Sequence, residues 1–251
     1  MIDAILLAGG KGTRLSPLTD NLPKPLVSIH GKPMMQYVLE HLKQAGILNV
    51  AISVAHLGHM IQDEFGDGSK LGMNLTYLIE PEPMGTGGWT KLINWQDLNN
   101  NFIVANADNL FWIDLVAFKN RHQESNGIAT IAGIELPSEQ IINYEILRTN
   151  STRDRLLAYI DRTNSMAELQ GKESGFINTG WYIMNKDVRH LVDDVVPISN
   201  EVHLWPKIAK SGRSVGFYCA TEPWFDSGTH ERLARVSAFI ESQGIHRPIS
   251  V

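Results

Sequence analysis

Between positions 9 and 24 the sequence gathers groups of the kinds that can hold an anion. Gly9-Gly10-Lys11-Gly12-Thr13-Arg14 follows an apolar run that ends in Leu7 and Ala8. Glycines after a strand let the backbone turn tightly and approach a ligand closely. Successive backbone N–H groups in such a turn form an anion nest. Leu7, Ala8, Gly9, Gly10, Gly12 and Thr13 are the candidates for that cradle, and Arg14 adds a planar, permanently charged fork. Lys24, between Pro23 and Pro25, rides on a stiff segment and offers a point charge to the same anion. Short motifs match by chance, and an isolated glycine turn with solvated cations is ordinary. Two rival phosphate motifs fail. The ATPase-type loop needs Ser or Thr after Gly-Lys, where Gly12 stands, and the dinucleotide fingerprint needs a third glycine, where Leu15 stands.

Carboxylates recur downstream at the ends of apolar runs. Glu80 opens Glu80-Pro81-Glu82-Pro83-Met84-Gly85-Thr86-Gly87-Gly88. A carboxylate there can accept from the N–H groups of a guanine edge or from the imide N–H of uracil. Asp108, in Asn106-Ala107-Asp108-Asn109, closes another run, where an oxygen ligand suits a hard cation. Asp226 precedes a Ser227-Gly228-Thr229 turn.

These residues need a scaffold that brings strand ends together. Apolar runs predict strands over 2–7, 50–54, 75–79, 102–105 and 128–134, with helices over 34–45, 58–65 and from the glycines at 85–88 toward Trp95. Pro33 reads as a first helical position. Strands alternating with helices predict an α/β fold with a parallel sheet covered on both faces. The second half predicts strands over 145–148, 156–160 and 176–184, and helices over 187–192, 202–210 and 231–241, with a loose tail after Gly244. One domain is expected over 1–251, with residues after about 135 covering the carboxyl edge, where open parallel sheets bind ligands.

The bulk composition narrows the classes. With 43% hydrophobic and 20% charged residues the chain reads as globular, not disordered. A net charge of −5 opposes broad nucleic-acid binding, which needs a basic footprint. The single cysteine, Cys219, excludes an internal disulfide or a cysteine zinc site and fits a cytoplasmic setting. The apolar start is too short to span a membrane and lacks a basic flank, so no signal peptide or membrane partner is expected.

Residues 7–37, with the glycine loop, Arg14 and Pro23-Lys24-Pro25, resemble the signature of sugar-1-phosphate nucleotidylyltransferases, and the likeness runs from Ile2 to about Ile240. It looks strongest to short mannose or heptose 1-phosphate guanylyltransferases and N-acetylmuramate 1-phosphate uridylyltransferases. The resemblance implies a Rossmann-like three-layer sandwich with a mostly parallel mixed sheet, the nucleotide-diphospho-sugar transferase fold. It implies that Arg14 and Lys24 are catalytic, that Glu80, Gly85 and Thr86 hold the base, and that Asp108 and Asp226 bind Mg²⁺. It places the second substrate on Asn106, Asp161, Arg162, Asn178 and Gly180. The implied partners are a nucleoside triphosphate and a sugar 1-phosphate, in a monomer or homodimer.

This sequence departs from that pattern mostly on the acceptor side. Asp161-Arg162 stands where the family has Glu-Lys-Pro, Tyr144-Glu145 where it has Tyr-Gly, Trp89 where it has a small residue, and Ala107 where it has Gly. A cytidylyltransferase acting on phosphocholine or another non-sugar phosphate stays open, with Trp89, Trp112, Trp181 and Trp224 available to face an ammonium group. A non-catalytic regulatory module of the same fold is the other reading.

Overall fold

A computed structural model of the protein describes residues 1–141 and 144–244. The expected loose tail lies outside the described residues, apart from its start at Gly244. Thirteen strands are present among them: β1 (Ile2–Leu7), β2 (Ser28–Ile29), β3 (Lys32–Pro33), β4 (Asn49–Val54), β5 (Asn74–Ile79), β6 (Leu98–Asn106), β7 (Asn109–Phe111), β8 (Ala129–Pro137), β9 (Ile146–Thr149), β10 (Leu156–Ile160), β11 (Ser174–Asn185), β12 (Val215–Ala220) and β13 (Trp224–Asp226). The α-helices are α1 (Met34–Gln44), α2 (Gly58–Phe65), α3 (Trp89–Leu92), α4 (Leu115–Ser125), α5 (Ser165–Leu169), α6 (Trp205–Lys210) and α7 (His230–Ser242).

Nine strands form one mixed sheet ordered β10-β9-β11-β6-β1-β4-β5, with β8 beside β11 and β12 beside β8. The β6-β1-β4-β5 run is parallel, as is β12-β8, whereas β11 runs antiparallel to β6, β8 and β9. Both faces are covered. In β1, Ala4 and Leu6 face a core shared with α1, α2, α4 and α7, while Ile5 faces the core that receives Trp89 of α3 and Trp205 of α6. Burial on both faces explains why these strands read as unbroken apolar runs.

The structure corrects several expected elements. The helix after the 85–88 glycines is only α3, one turn, and does not reach Trp95. Pro33 lies at the N-cap of α1 with extended ψ, one residue before the helix. The expected 187–192 helix is a 3₁₀ helix, Lys186–Leu191, and the 202–210 helix starts as a π turn, Asn200–Leu204, before α6. Helix α4 and strands β7, β12 and β13 were not anticipated.

The topology sets the site. β1 has β6 on one side and β4 on the other, so the order reverses between β1 and β6, where a crevice opens beyond the carboxyl ends. Leu7 and Asn106 are register partners at that edge.

Candidate active site

The glycine loop leaves β1 at Leu7 and passes through Gly12, whose φ of 65° lies in the left-handed region. A Cβ there would meet the Cβ of Lys24 at 3.0 Å and Thr19 at 3.2 Å, so only glycine lets the two segments close on each other. Thr19 Oγ1 donates to the Gly12 carbonyl at 2.8 Å and ties the loop back. Arg14 follows in a 3₁₀ turn; it is exposed and makes no ion pair among the described residues. Lys24 is 6% exposed, and its amine donates to Asp108 Oδ2 at 2.7 Å. Leu7, Ala8, Gly10, Lys11, Gly12, Thr13, Arg14, Lys24, Asp108 and Gly228 line one cavity of about 270 Å³. Backbone donors and cations on the wall of such a cavity suit a polyphosphate.

A second cavity of about 390 Å³ shares Leu7, Gly10, Lys11 and Asp108 and continues to Gly9, Ser53, Glu80, Gly85, Thr86 and Asn106. Glu80 accepts from Ser53 Oγ at 2.9 Å through Oε1 and from the Met84 N–H at 2.9 Å through Oε2. The carboxylate is thereby fixed, and each oxygen keeps a lone pair for a ligand donor. The loop that carries Gly85 and Thr86 is stapled by residues 198–201. The Ile198 N–H donates to the Met84 carbonyl at 2.8 Å, the Gly87 N–H donates to the Ile198 carbonyl at 2.8 Å, and Thr86 Oγ1 donates to Glu201 at 2.5 Å. Ser53, Lys11 and Glu201 were not picked out from the sequence. Ser53 did carry a signal, as a polar residue near the end of an apolar strand.

Asp108 and Asp226 are 118 positions apart in sequence, but β13 pairs antiparallel with β7 and sets Asp226 opposite Asn109, the residue after Asp108. Ser227 Oγ also donates to the Asp108 carbonyl at 2.5 Å. Asp226 accepts from the Gly228 N–H at 2.7 Å, from the Tyr144 hydroxyl at 3.3 Å and from Arg232. Burial, with Asp226's charge adding, pushes the Tyr144 pKa up to about 12, so this hydroxyl remains a donor. Among the described residues no group of three or more His, Cys, Asp or Glu forms a ready-made metal cage. Mg²⁺ does not need one, since it is held through one or two carboxylates plus water and substrate phosphates. Asp108 fits: Lys24 engages only Oδ2, and the residue lines both cavities. Asp226 fits as a second carboxylate only by sharing itself with Arg232.

The acceptor candidates are arranged differently. Asp161 Oδ1 accepts from the backbone N–H of Thr163 at 2.9 Å and of Asn164 at 3.1 Å, which makes it the cap of a turn. Arg162 Nε donates to Glu145 Oε1 at 2.5 Å. Asn178 Nδ2 donates to the hydroxyls of Tyr159 at 3.1 Å and Tyr182 at 2.8 Å, and its Oδ1 accepts from the Gly180 N–H at 2.9 Å. Gly180, with φ of 79°, forms a bulge where β11 changes partners. The space its missing side chain leaves is taken by the Asn106 amide and, at 3.2 Å, by Asn109 Nδ2.

The four tryptophans do not make an ammonium cage. Trp89 and Trp181 are fully buried in the core, Trp112 packs edge-on against Phe225 and tilted on Phe239, and Trp224 lines a cavity with Tyr144 and Arg232. Trp89 thus fills the core between Trp95 and Phe102 and does not line the cavity that holds Glu80.

Among relatives of known description, the chain is 30% identical over 238 residues to a mannose-1-phosphate guanylyltransferase from Mycobacterium tuberculosis, covering 94% of this chain and 64% of that one. It is 32% identical over 244 residues to a UTP–glucose-1-phosphate uridylyltransferase from Synechocystis, covering 90% and 60%. A D-glycero-alpha-D-manno-heptose 1-phosphate guanylyltransferase from Aneurinibacillus thermoaerophilus is 34% identical over 187 residues, covering 74% and 76%. The chain therefore spans less than two thirds of the length of the first two. The crystal structure of HddC from Yersinia pseudotuberculosis complexed with GMP-PN superposes with a TM-score of 0.78 at 25% identity, over 96% of this chain and 100% of that one. No helix among the described residues is long and apolar enough to cross a membrane. With the nucleotidyl transferase pattern matching residues 3–243, the chain belongs to the sugar-1-phosphate nucleotidylyltransferase family and has its Rossmann-like fold.

Proposed function

We propose that this chain transfers a nucleoside monophosphate from a nucleoside triphosphate, GTP or UTP, to a sugar 1-phosphate, forming an NDP-sugar and pyrophosphate. The observation that carries the reading is the convergence of Arg14, Lys24 and Asp108 on the cavity under the glycine loop. That cavity adjoins the one that holds the fixed carboxylate of Glu80. Glu80 suits the N–H edge of guanine or uracil. Relatives described as guanylyl- and uridylyltransferases agree with it.

An oxygen of the sugar phosphate attacks the α-phosphorus, a new P–O bond forms, the α–β bridge breaks, and pyrophosphate leaves with the electron pair. The attacking oxygen is already anionic, so no general base is required. The task is to bring two anions together and stabilise the charge that develops. The glycine loop N–H groups and Arg14 hold the β- and γ-phosphates, and Lys24 sets its charge beside Asp108 at the reacting end. Mg²⁺ held by Asp108 and Asp226 would add charge neutralisation on the phosphate oxygens. Asn106, Asp161, Arg162, Asn178 and Gly180 form the acceptor side in this reading. Pyrophosphate release from a panel of triphosphates against glucose, mannose and heptose 1-phosphates, with phosphocholine as the non-sugar arm, tests it. Release with at least one sugar 1-phosphate is expected; release with phosphocholine alone would overturn the acceptor class.

A further inference from the structure

Two departures on the acceptor side are one structural event. Glu145 and Arg162 lie 17 positions apart, yet Arg162 Nε donates to Glu145 Oε1 at 2.5 Å. Glu145 is 8% exposed, whereas the Arg162 side chain is 59% exposed. The pair therefore has a buried, fixed end and an open, cationic end. Glu145 is itself anchored, since the Asn178 N–H donates to its carbonyl at 3.3 Å. Asn178 Oδ1 accepts from the Gly180 N–H, and between them in sequence the Thr179 carbonyl accepts from Nδ2 of Asn109, the residue after Asp108, at 3.1 Å. Asp161, the sequence neighbour, is spent on capping its own turn and does not orient Arg162.

We infer that Glu145 is a positioning residue that fixes the Arg162 guanidinium to receive the phosphate monoester of the second substrate. A guanidinium bound through Nε keeps both terminal nitrogens, and neither has a partner among the described residues. Those two donors form the fork that matches two oxygens of a phosphate monoester. Arginine on an exposed turn otherwise loses considerable side-chain entropy on binding; the pair has removed part of that cost beforehand. The pair also restricts what can replace the arginine, because lysine has a single nitrogen and cannot hold Glu145 while presenting a two-nitrogen fork.

This inference rests on the proposed transfer to a sugar 1-phosphate. A direct titration tests it, with mannose 1-phosphate and glucose 1-phosphate as probes on protein saturated with a non-hydrolysable GTP or UTP analogue. The proteins are wild type, Glu145→Gln, Arg162→Gln and the double variant, each checked for native circular dichroism. Arg162→Gln strands a buried carboxylate and is the one at risk of misfolding; the double variant removes that charge. Each single change should weaken sugar-phosphate binding by about tenfold, the scale of one charge-assisted hydrogen bond. The double variant should be no weaker than the weaker single, and nucleotide affinity should stay within about twofold, as expected for residues that act as a unit on one ligand. In turnover, KM for the sugar phosphate should rise while kcat changes little. Losses that multiply in the double variant, or a Glu145→Gln protein that binds as wild type does, would overturn the inference alone. A wild-type protein that binds neither probe would overturn it together with the proposed acceptor.

Discussion

Around the glycine loop, Arg14 and Lys11 reach the cavity wall without an ion-pair partner among the described residues. Around β9 to β11, Asp161, Arg162 and Asn178 each bond to protein, and the space over Gly180 is filled. Beside the Lys24–Asp108 pair and the fixed Glu80 carboxylate, the glycine-loop side thus leaves two cations open, as a site for a common polyphosphate can. The acceptor side joins its polar groups to each other, so its shape is set by pairs and not by single residues. Activity should therefore respond to single substitutions on the donor side, and stability or acceptor choice to substitutions on the other.

The largest effect is expected at Arg14. Arg14→Ala should cost under about 0.5 kcal/mol of stability, as an exposed and unpaired residue. It should lower turnover by about 10²–10³, the scale of one lost preorganised electrostatic contact. Steady-state pyrophosphate release beside a thermal melt checks both; near-wild-type turnover would move the triphosphate site elsewhere. Asn178→Ala is the converse. It strands the Gly180 N–H and removes a donor from the hydroxyls of buried Tyr182 and half-buried Tyr159, so a loss of about 1–3 kcal/mol of stability is expected. Denaturant unfolding measures it, and nucleotide affinity should hardly change. A loss confined to activity, with stability unchanged, would show that these bonds do not hold the fold.

How much could be read in advance follows the same division. β1, β4 and the glycine loop were legible because a strand buried on both faces is an unbroken apolar run and its turn needs glycine. Helix α4 was not, because only Leu115, Phe118, His122 and Ser125 are buried and the apolar period is thin; its one clear signal was Asp114, whose side chain caps the N–H groups of Val116 and Ala117. β7 and β13 are three residues each, too short for periodicity, yet their pairing sets Asp226 opposite Asn109. On the acceptor side, residue types were visible but partners were not. Spacing does not encode that Arg162 takes Glu145 or that Asn178 takes Tyr159 and Tyr182.

The smallest expected effect concerns neither side directly. Burial lowers the pKa of His122 and of His41, so both are kept neutral in the fold. Between the unfolded value of 6.5 and the lower folded one, the unfolded chain binds more protons. That contribution is full above pH 6.5 and is lost as pH falls through the folded values. The melting midpoint should decline on acidification from neutrality, and His122→Asn should flatten the decline. A midpoint independent of pH in that range would contradict it.

The fate of the α-phosphorus tests the central claim most directly. With α-³²P-labelled GTP or UTP, Mg²⁺ and an accepted sugar 1-phosphate, label should pass into an NDP-sugar while unlabelled pyrophosphate is released in equal amount. Without the sugar phosphate, labelled pyrophosphate should not exchange into the triphosphate, since the nucleotide passes to the acceptor in a single displacement. Label recovered as a nucleoside diphosphate with free inorganic phosphate, or exchange in the absence of acceptor, would contradict the account.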